Sequence, residues 1–197
     1  SGEILFFLAA RGHHADVGGL TPGSMPPGSI SVVQEGALSA GLKIVGHGRF
    51  REEAVRAWLL AGPHPARNPD QNLADLRAQI AANEKGAQEL RRMVEEFSLP
   101  TVRAYMGYVK DNAEEAVRRV LAEIEGGRFV HRMDDGAEIC VTVAVDRIAR
   151  RARIDFSGTS PQRPNNFNAP AAVTRAALLY VFRTLVRDPI PLNAGCL

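Results

Sequence analysis

Hydrophobic and polar positions change period several times along the chain, and each change predicts a different element. Ile4-Leu5-Phe6-Phe7-Leu8-Ala9-Ala10 is apolar without alternation, the pattern of a strand covered on both faces, and it predicts a central strand. From Gly12 to Gly36 the chain is dense in Gly, Pro and Ser, which disfavours helix and ladder alike and predicts a long loop. Loops of that length are uncommon in compact domains unless they serve a function. Arg51 to Ala61 reads as a short helix. Asn68-Pro69-Asp70 then opens a second one, with Asn68 as its N-cap.

Leu76, Ile80, Asn83, Ala87, Leu90, Val94 and Phe97 recur at spacings of four and three, the seam of a long helix that packs on another helix. Ser98-Leu99-Pro100 breaks it. A partner helix carries Val102, Met106, Val109, Ala113, Val117, Val120 and Ile124 on one side and stops at Gly126-Gly127, so the pair predicts an antiparallel helical hairpin. The period then falls to two. Ile139, Val141, Val143 and Val145 alternate with polar or small neighbours, as do Ala152, Ile154 and Phe156. With Phe129 to Met133 as a first strand they predict a β-meander. Ala171 to Arg187 is the last helix. The fold class expected is α+β: a strand and Gly/Pro-rich loop over 1–48, a helical part over 49–127, and a meander with its helix over 128–197. Both ends look cut, so the whole reads as one fragment of a longer chain.

Composition narrows the function classes. The 197 residues are 45% hydrophobic and 23% charged, enough for an ordinary core, which excludes a disordered chain. A formal net charge of +2 with dispersed basic residues and only 6% aromatics argues against nucleic acid as a partner. No apolar run approaches the roughly 20 residues needed to cross a bilayer, so no membrane partner is expected. Two distant cysteines, Cys140 and Cys196, suit a reducing compartment and a cytoplasmic location.

Three constellations could carry chemistry. Arg11-Gly12-His13-His14-Ala15-Asp16 places two imidazoles and a carboxylate next to a glycine pair. Such a set can hold a divalent Zn, Mn or Fe ion through His13, His14 and Asp16, given a further ligand from elsewhere. It can equally supply a histidine acid or base, or be surface and structural polarity. Glu35 ends the same loop and is a candidate catalytic carboxylate. Asp75, Gln79 and Asn83 step by four along one helix. They are either a solvated edge with one register-setting Asn, or a stripe that binds an amide-bearing substrate. Ser157, Gly158, Thr159 and Ser160 end a strand, and the loop runs through Asn168 to a helix start. It could cradle an oxyanion or serve only as loop and cap. Arg147, Arg150, Arg151 and Arg153 crowd one hairpin and read as a solvated edge that resists sheet-to-sheet pairing. No phosphate-binding P-loop, dinucleotide fingerprint or nucleophile elbow is present in the sequence.

Several segments in this order resemble the hydantoinase B/5-oxoprolinase family: Arg11-Gly12-His13-His14-Ala15-Asp16-Val17-Gly18-Gly19, Pro22-Gly23-Ser24-Met25-Pro26-Pro27, Gln34-Glu35-Gly36, Asn68-Pro69, Asp75 through Asn83, Asp155-Phe156-Ser157-Gly158-Thr159-Ser160 and Ala172-Val173-Thr174-Arg175. Together they span nearly the whole chain. The resemblance implies a B-type subunit of an ATP-dependent hydrolase that opens a cyclic amide such as a hydantoin or 5-oxoproline. ATP would be bound by an A-type partner subunit in a hetero-oligomer. It also implies a metal at His13, His14 and Asp16, because related ketone carboxylases carry a divalent ion in the equivalent subunit. Gln34 departs from the family, which often has a second carboxylate there. Two alternatives remain: a ketone carboxylase component, and a non-catalytic scaffold for the ATP-binding subunit. They part from the hydrolase on where the Asp75-Gln79-Asn83 stripe points, toward the histidine loop or toward solvent.

Overall fold

A computed structural model describes residues 2–197. The elements in chain order are β1 (Val45–Gly46), β2 (Arg49–Phe50), α1 (Glu52–Leu60), α2 (Pro69–Phe97), α3 (Leu99–Glu123), β3 (Gly127–Arg132), β4 (Glu138–Asp146), β5 (Arg151–Asp155) and α4 (Ala171–Leu185), with 3-10 turns at Val32–Glu35 and Ala194–Cys196. The class is α+β, as the periods predict. The chain forms two compact units. One comprises residues up to Glu96 together with Arg163–Phe167, the other Phe97–Gln162 together with Asn168–Leu197.

In the first unit, α1 and the start of α2 bury Val55, Leu59, Ala66 and Leu73, with Leu42, Ile44, Phe50 and Trp58 packed around them. Helix α2 begins where the sequence places its cap, since the Asn68 side-chain oxygen accepts a bond from the Gln71 N–H at 3.3 Å. It ends where Ser98 takes a positive φ of 72°. The β1–β2 hairpin was not anticipated. Its two-residue turn, His47-Gly48, has positive φ at both positions, the geometry that a tight hairpin demands.

One expectation fails in this unit. Ile4 to Ala10 joins no ladder in the structure, and Ile4 is 68% and Phe7 91% exposed. An apolar run alone does not make a strand. The backbone must find a hydrogen-bonding neighbour, and this segment runs beside a helix, whose own N–H and C=O groups are already used.

The second unit is built on α3. Ala113, Ala116, Val117 and Leu121 are buried with Val186, Ile190 and Cys196, which come from the segment after α4 and from the C-terminal turn. Strands β3, β4 and β5 form an antiparallel sheet in that order. The registers Phe129↔Val141 and Val143↔Ile154 show that the alternation was read in phase. The arginines of the β4–β5 turn are not a purely solvated edge. Arg147 donates to the Ile124 carbonyl at 3.0 Å and Arg150 to Glu115 at 2.8 Å, both on the α3 side.

Candidate functional site

The segment from Leu8 to Asp16 lies along α2 in the opposite direction, and the contacts fix its register. A Cβ on Gly86 would lie 2.5 Å from a Leu8 methyl, and one on Gly12 would lie 2.6 Å from the Gln79 amide nitrogen. His14 follows at Asp75 and Asn72. Six residues of extended chain cover about 20 Å and the eleven helix residues from 86 to 75 about 16 Å. The segment is therefore nearly straight, with its glycine where the Gln79 side chain stands. Asp75 and Gln79 of the polar stripe thus face the histidine segment.

The His14 ring is held from behind. Its Nδ1 lies 3.4 Å from Asp75 Oδ2 and 3.4 Å from the Asn72 amide nitrogen. That amide nitrogen also donates to the Asp16 carbonyl at 2.8 Å, and Gln71 holds the other Asp75 oxygen at 2.8 Å. Nδ1 therefore meets a carboxylate acceptor and an amide donor, which leaves Nε2 as the nitrogen for a ligand. Asn72 is 2% exposed, and among the described residues its side-chain oxygen has no hydrogen-bond partner. Such burial carries a cost that a purely structural residue would avoid.

His13 and His14 line an open cleft of about 540 Å³ whose other walls include Arg11, Met25 and Glu35. The loop around it is tied by its own polar groups. Ser24 Oγ accepts from the Val17 N–H at 2.7 Å and donates to the Gly18 carbonyl at 2.6 Å. Leu20 N–H donates to Gln34 O and Ala37 N–H to Val17 O, each at 2.8 Å. Glu35 sits between those last two bonds, and its Oε1 accepts from the buried Ser29 hydroxyl.

Asp16 has a different task from the one its spacing suggests. One carboxylate oxygen accepts from the N–H groups of Gly18 at 2.8 Å and Arg67 at 3.4 Å. The other accepts from Gly23 N–H at 3.0 Å and the Arg67 guanidinium at 2.8 Å. Burial by itself would raise its pKa, but these donors outweigh it and hold the carboxyl below the usual carboxylate range. Four N–H donors fill the acceptor sites of a carboxylate. The set His13, His14 and Asp16 therefore does not fit a metal centre as arranged. Among the described residues no three His, Cys, Asp or Glu side chains converge on one point.

Asp75 and Gln79 touch the histidine segment instead of lining the cleft. Asn83 is half-buried one turn further along α2. Ser157, Gly158, Thr159 and Asn168 belong to the second unit, where the polar groups of Ser157 and Thr159 are engaged locally. Thr159 Oγ1 accepts from Cys140 N–H and donates to Cys140 O, both at 3.0 Å, prolonging the edge of β4. Ser157 donates its hydroxyl and its N–H to Asp155, holding that carboxyl low. Sequence reasoning missed Asn72, Arg67 and Ser29. Asn72 had a signal, since it continues the stripe one step before Asp75. Ser29 and Arg67 had none, because each meets its partner through the folded loop.

A model of the Hydantoinase B/oxoprolinase family matches residues 1–197. The 5-oxoprolinase of Dictyostelium discoideum is 44% identical over 100% of this chain, which covers 16% of that protein. The corresponding values for 5-oxoprolinase 1 of Arabidopsis thaliana are 44%, 100% and 17%. The chain thus spans about a sixth of the length of these relatives. The crystal structure of the ATP-dependent caprolactamase from Pseudomonas jessenii superposes with a TM-score of 0.73 at 21% identity, covering 92% of this chain and 31% of that one. At that identity the likeness is one of fold. With the family match running end to end, and the ordered segments around His13, Glu35 and Asp75 seated around or directly behind one cleft, this chain belongs to the hydantoinase B/oxoprolinase family.

Proposed function

We propose that this chain is part of the B-type portion of an ATP-dependent enzyme that opens a cyclic amide of the 5-oxoproline or hydantoin type, in partnership with an A-type ATP-binding subunit. The observation that carries this reading is the placement of His14: the residue lines the cleft while its Nδ1 lies 3.4 Å from the Asp75 carboxylate and from the Asn72 amide on α2.

An unactivated lactam resists water, so phosphorylation of its carbonyl oxygen by ATP on the partner would precede the step assigned here. Water adds to the activated carbon, and its proton passes to His14 Nε2. The ring C–N bond then breaks as the added hydroxyl becomes a carbonyl and the nitrogen takes the proton held by His14, and a second water hydrolyses the remaining acyl phosphate to carboxylate and phosphate. Asp75 steadies the imidazolium formed in between, as an orienting carboxylate does behind a catalytic histidine. Glu35 and Arg11 are the charged groups that position the ring compound in the cleft. Because the trio of sequence-predicted metal ligands does not fit a centre, no step is routed through a metal ion.

The test is ATP turnover by the full-length enzyme with its A-type subunit, using 5-oxoproline, hydantoin and ketones as substrates. Turnover with a cyclic amide that His14→Ala abolishes supports the reading. Ketone-stimulated turnover alone would favour the carboxylase, and full activity in His14→Ala would remove His14 from the chemistry.

A further inference from the structure

The connection from β5 to α4 reaches back along the chain. Arg163–Phe167 belongs to the first unit, although the residues on either side of it belong to the second. Within the first unit it joins the glycine- and proline-rich loop, where the Asn166 amide nitrogen donates to the Pro26 carbonyl at 3.0 Å across 140 residues. That carbonyl also accepts the Ser29 N–H at 3.1 Å, so both of its lone pairs are used. Pro26 and Ser29 are buried. The turn they close joins two stretches of loop that line the cleft, Gly23, Ser24 and Met25 before it and Val32 and Glu35 after it. The Asn166 Oδ1 atom is buried and has no partner among the described residues. Burying an amide oxygen in that state costs free energy, and the bond to Pro26 is what offsets it.

Resting on the function proposed above for the cleft, we infer that Asn166 is a positioning residue, which latches the turn over residues 26–29 and thereby fixes the cleft wall formed by Gly23, Ser24 and Met25. The loop builds neither a long helix nor a ladder, so its shape depends on individual polar ties. Ser24 supplies one tie, to Val17 and Gly18. Asn166 supplies another from a segment that the loop's own sequence does not contain. With that tie removed, the turn opens locally at a free energy well below that of global unfolding. A wall that must be ordered when a ligand arrives lowers affinity by the entropy of ordering it, so the latch acts on substrate binding more than on the chemical step.

The experiment compares the full-length wild-type enzyme, with its A-type subunit, to Asn166→Asp and Asn166→Ala. The first variant keeps the shape but loses the donor, and the second loses the donor without adding charge. Hydrogen exchange read by mass spectrometry should quicken in both variants over residues 20–30 by roughly three- to tenfold, the worth of one hydrogen bond, and stay unchanged over α1 and the start of α2. KM for 5-oxoproline should rise by a similar factor with a smaller change in kcat, the signature of lost binding rather than lost chemistry. Wild-type exchange over residues 20–30 in the variants overturns the inference, as does exchange that quickens equally over α1 and α2, which marks a general loss of stability. An effect confined to Asn166→Asp reflects repulsion and overturns it too, and so does a loosened loop with an unchanged KM. If the wild-type enzyme turns over no cyclic amide, the function proposed above falls, and the exchange comparison by itself decides whether Asn166 holds the wall.

Discussion

Asp16 and Asp75 show how two carboxylates near the same histidines come to do different work. Asp16 spends both oxygens on Gly18, Gly23 and Arg67, whereas Asp75 keeps one oxygen 3.4 Å from His14 Nδ1. Replacing Asp75 by Asn should lower kcat by about 100-fold or more with little change in KM, since it removes orientation and charge without removing bulk; an unchanged kcat counts against the assignment. Asp16→Asn should instead lower stability. Its folded pKa lies below the ordinary 3.8, so the stabilisation is present above that value and is lost as pH falls through the folded pKa. The difference in Tm between wild type and Asp16→Asn should therefore be largest near neutrality and close below about pH 4, as pH-dependent thermal melts would register. His13, His14 and Glu35 were legible as candidates because their residue types and spacing are local. The role of Asp16 was not, since Arg67 reaches it across 51 residues.

At the scale of elements, periodicity served well where a helix or strand could satisfy its own pattern. The α2 cap at Asn68, the break at Ser98 and the β3–β4–β5 register all follow from the sequence. Asn68→Ala should cost about 1 kcal/mol in a denaturant titration, the usual worth of an N-cap. The sequence leaves the Ser157–Ser160 loop as either an oxyanion cradle or plain loop and cap, and the structure gives Thr159 a bond to each backbone group of Cys140. Thr159→Ala should therefore destabilise the protein by about 1–3 kcal/mol, with Thr159→Ser recovering most of it. A large effect of Thr159→Ala on KM at unchanged stability would return that loop to substrate binding. Periodicity misled at Ile4 to Ala10, where apolar character without a pairing partner gave an exposed segment beside α2.

For the whole molecule, the chain belongs to the hydantoinase B/oxoprolinase family and spans about a sixth of the length of its 5-oxoprolinase relatives, and among the described residues no helix is long and apolar enough to cross a membrane. The divalent ion implied by the family resemblance can be tested directly on the full-length protein. With Asp16 saturated by N–H donors, metal content is expected to be insensitive to Asp16→Ala, and stoichiometric metal lost in that variant would reinstate Asp16 as a ligand. What the sequence by itself determined is whatever depends on neighbours within a few turns: helix and strand periods, the cap, the glycine-rich loop and the order of family segments. Only the tertiary structure decided which polar groups are spent and which are left over. Hydrogen-bond partners such as Arg67 for Asp16, Ser29 for Glu35 and Asn72 for His14 are chosen by packing. A side chain's chemistry is set by the lone pairs that packing leaves free.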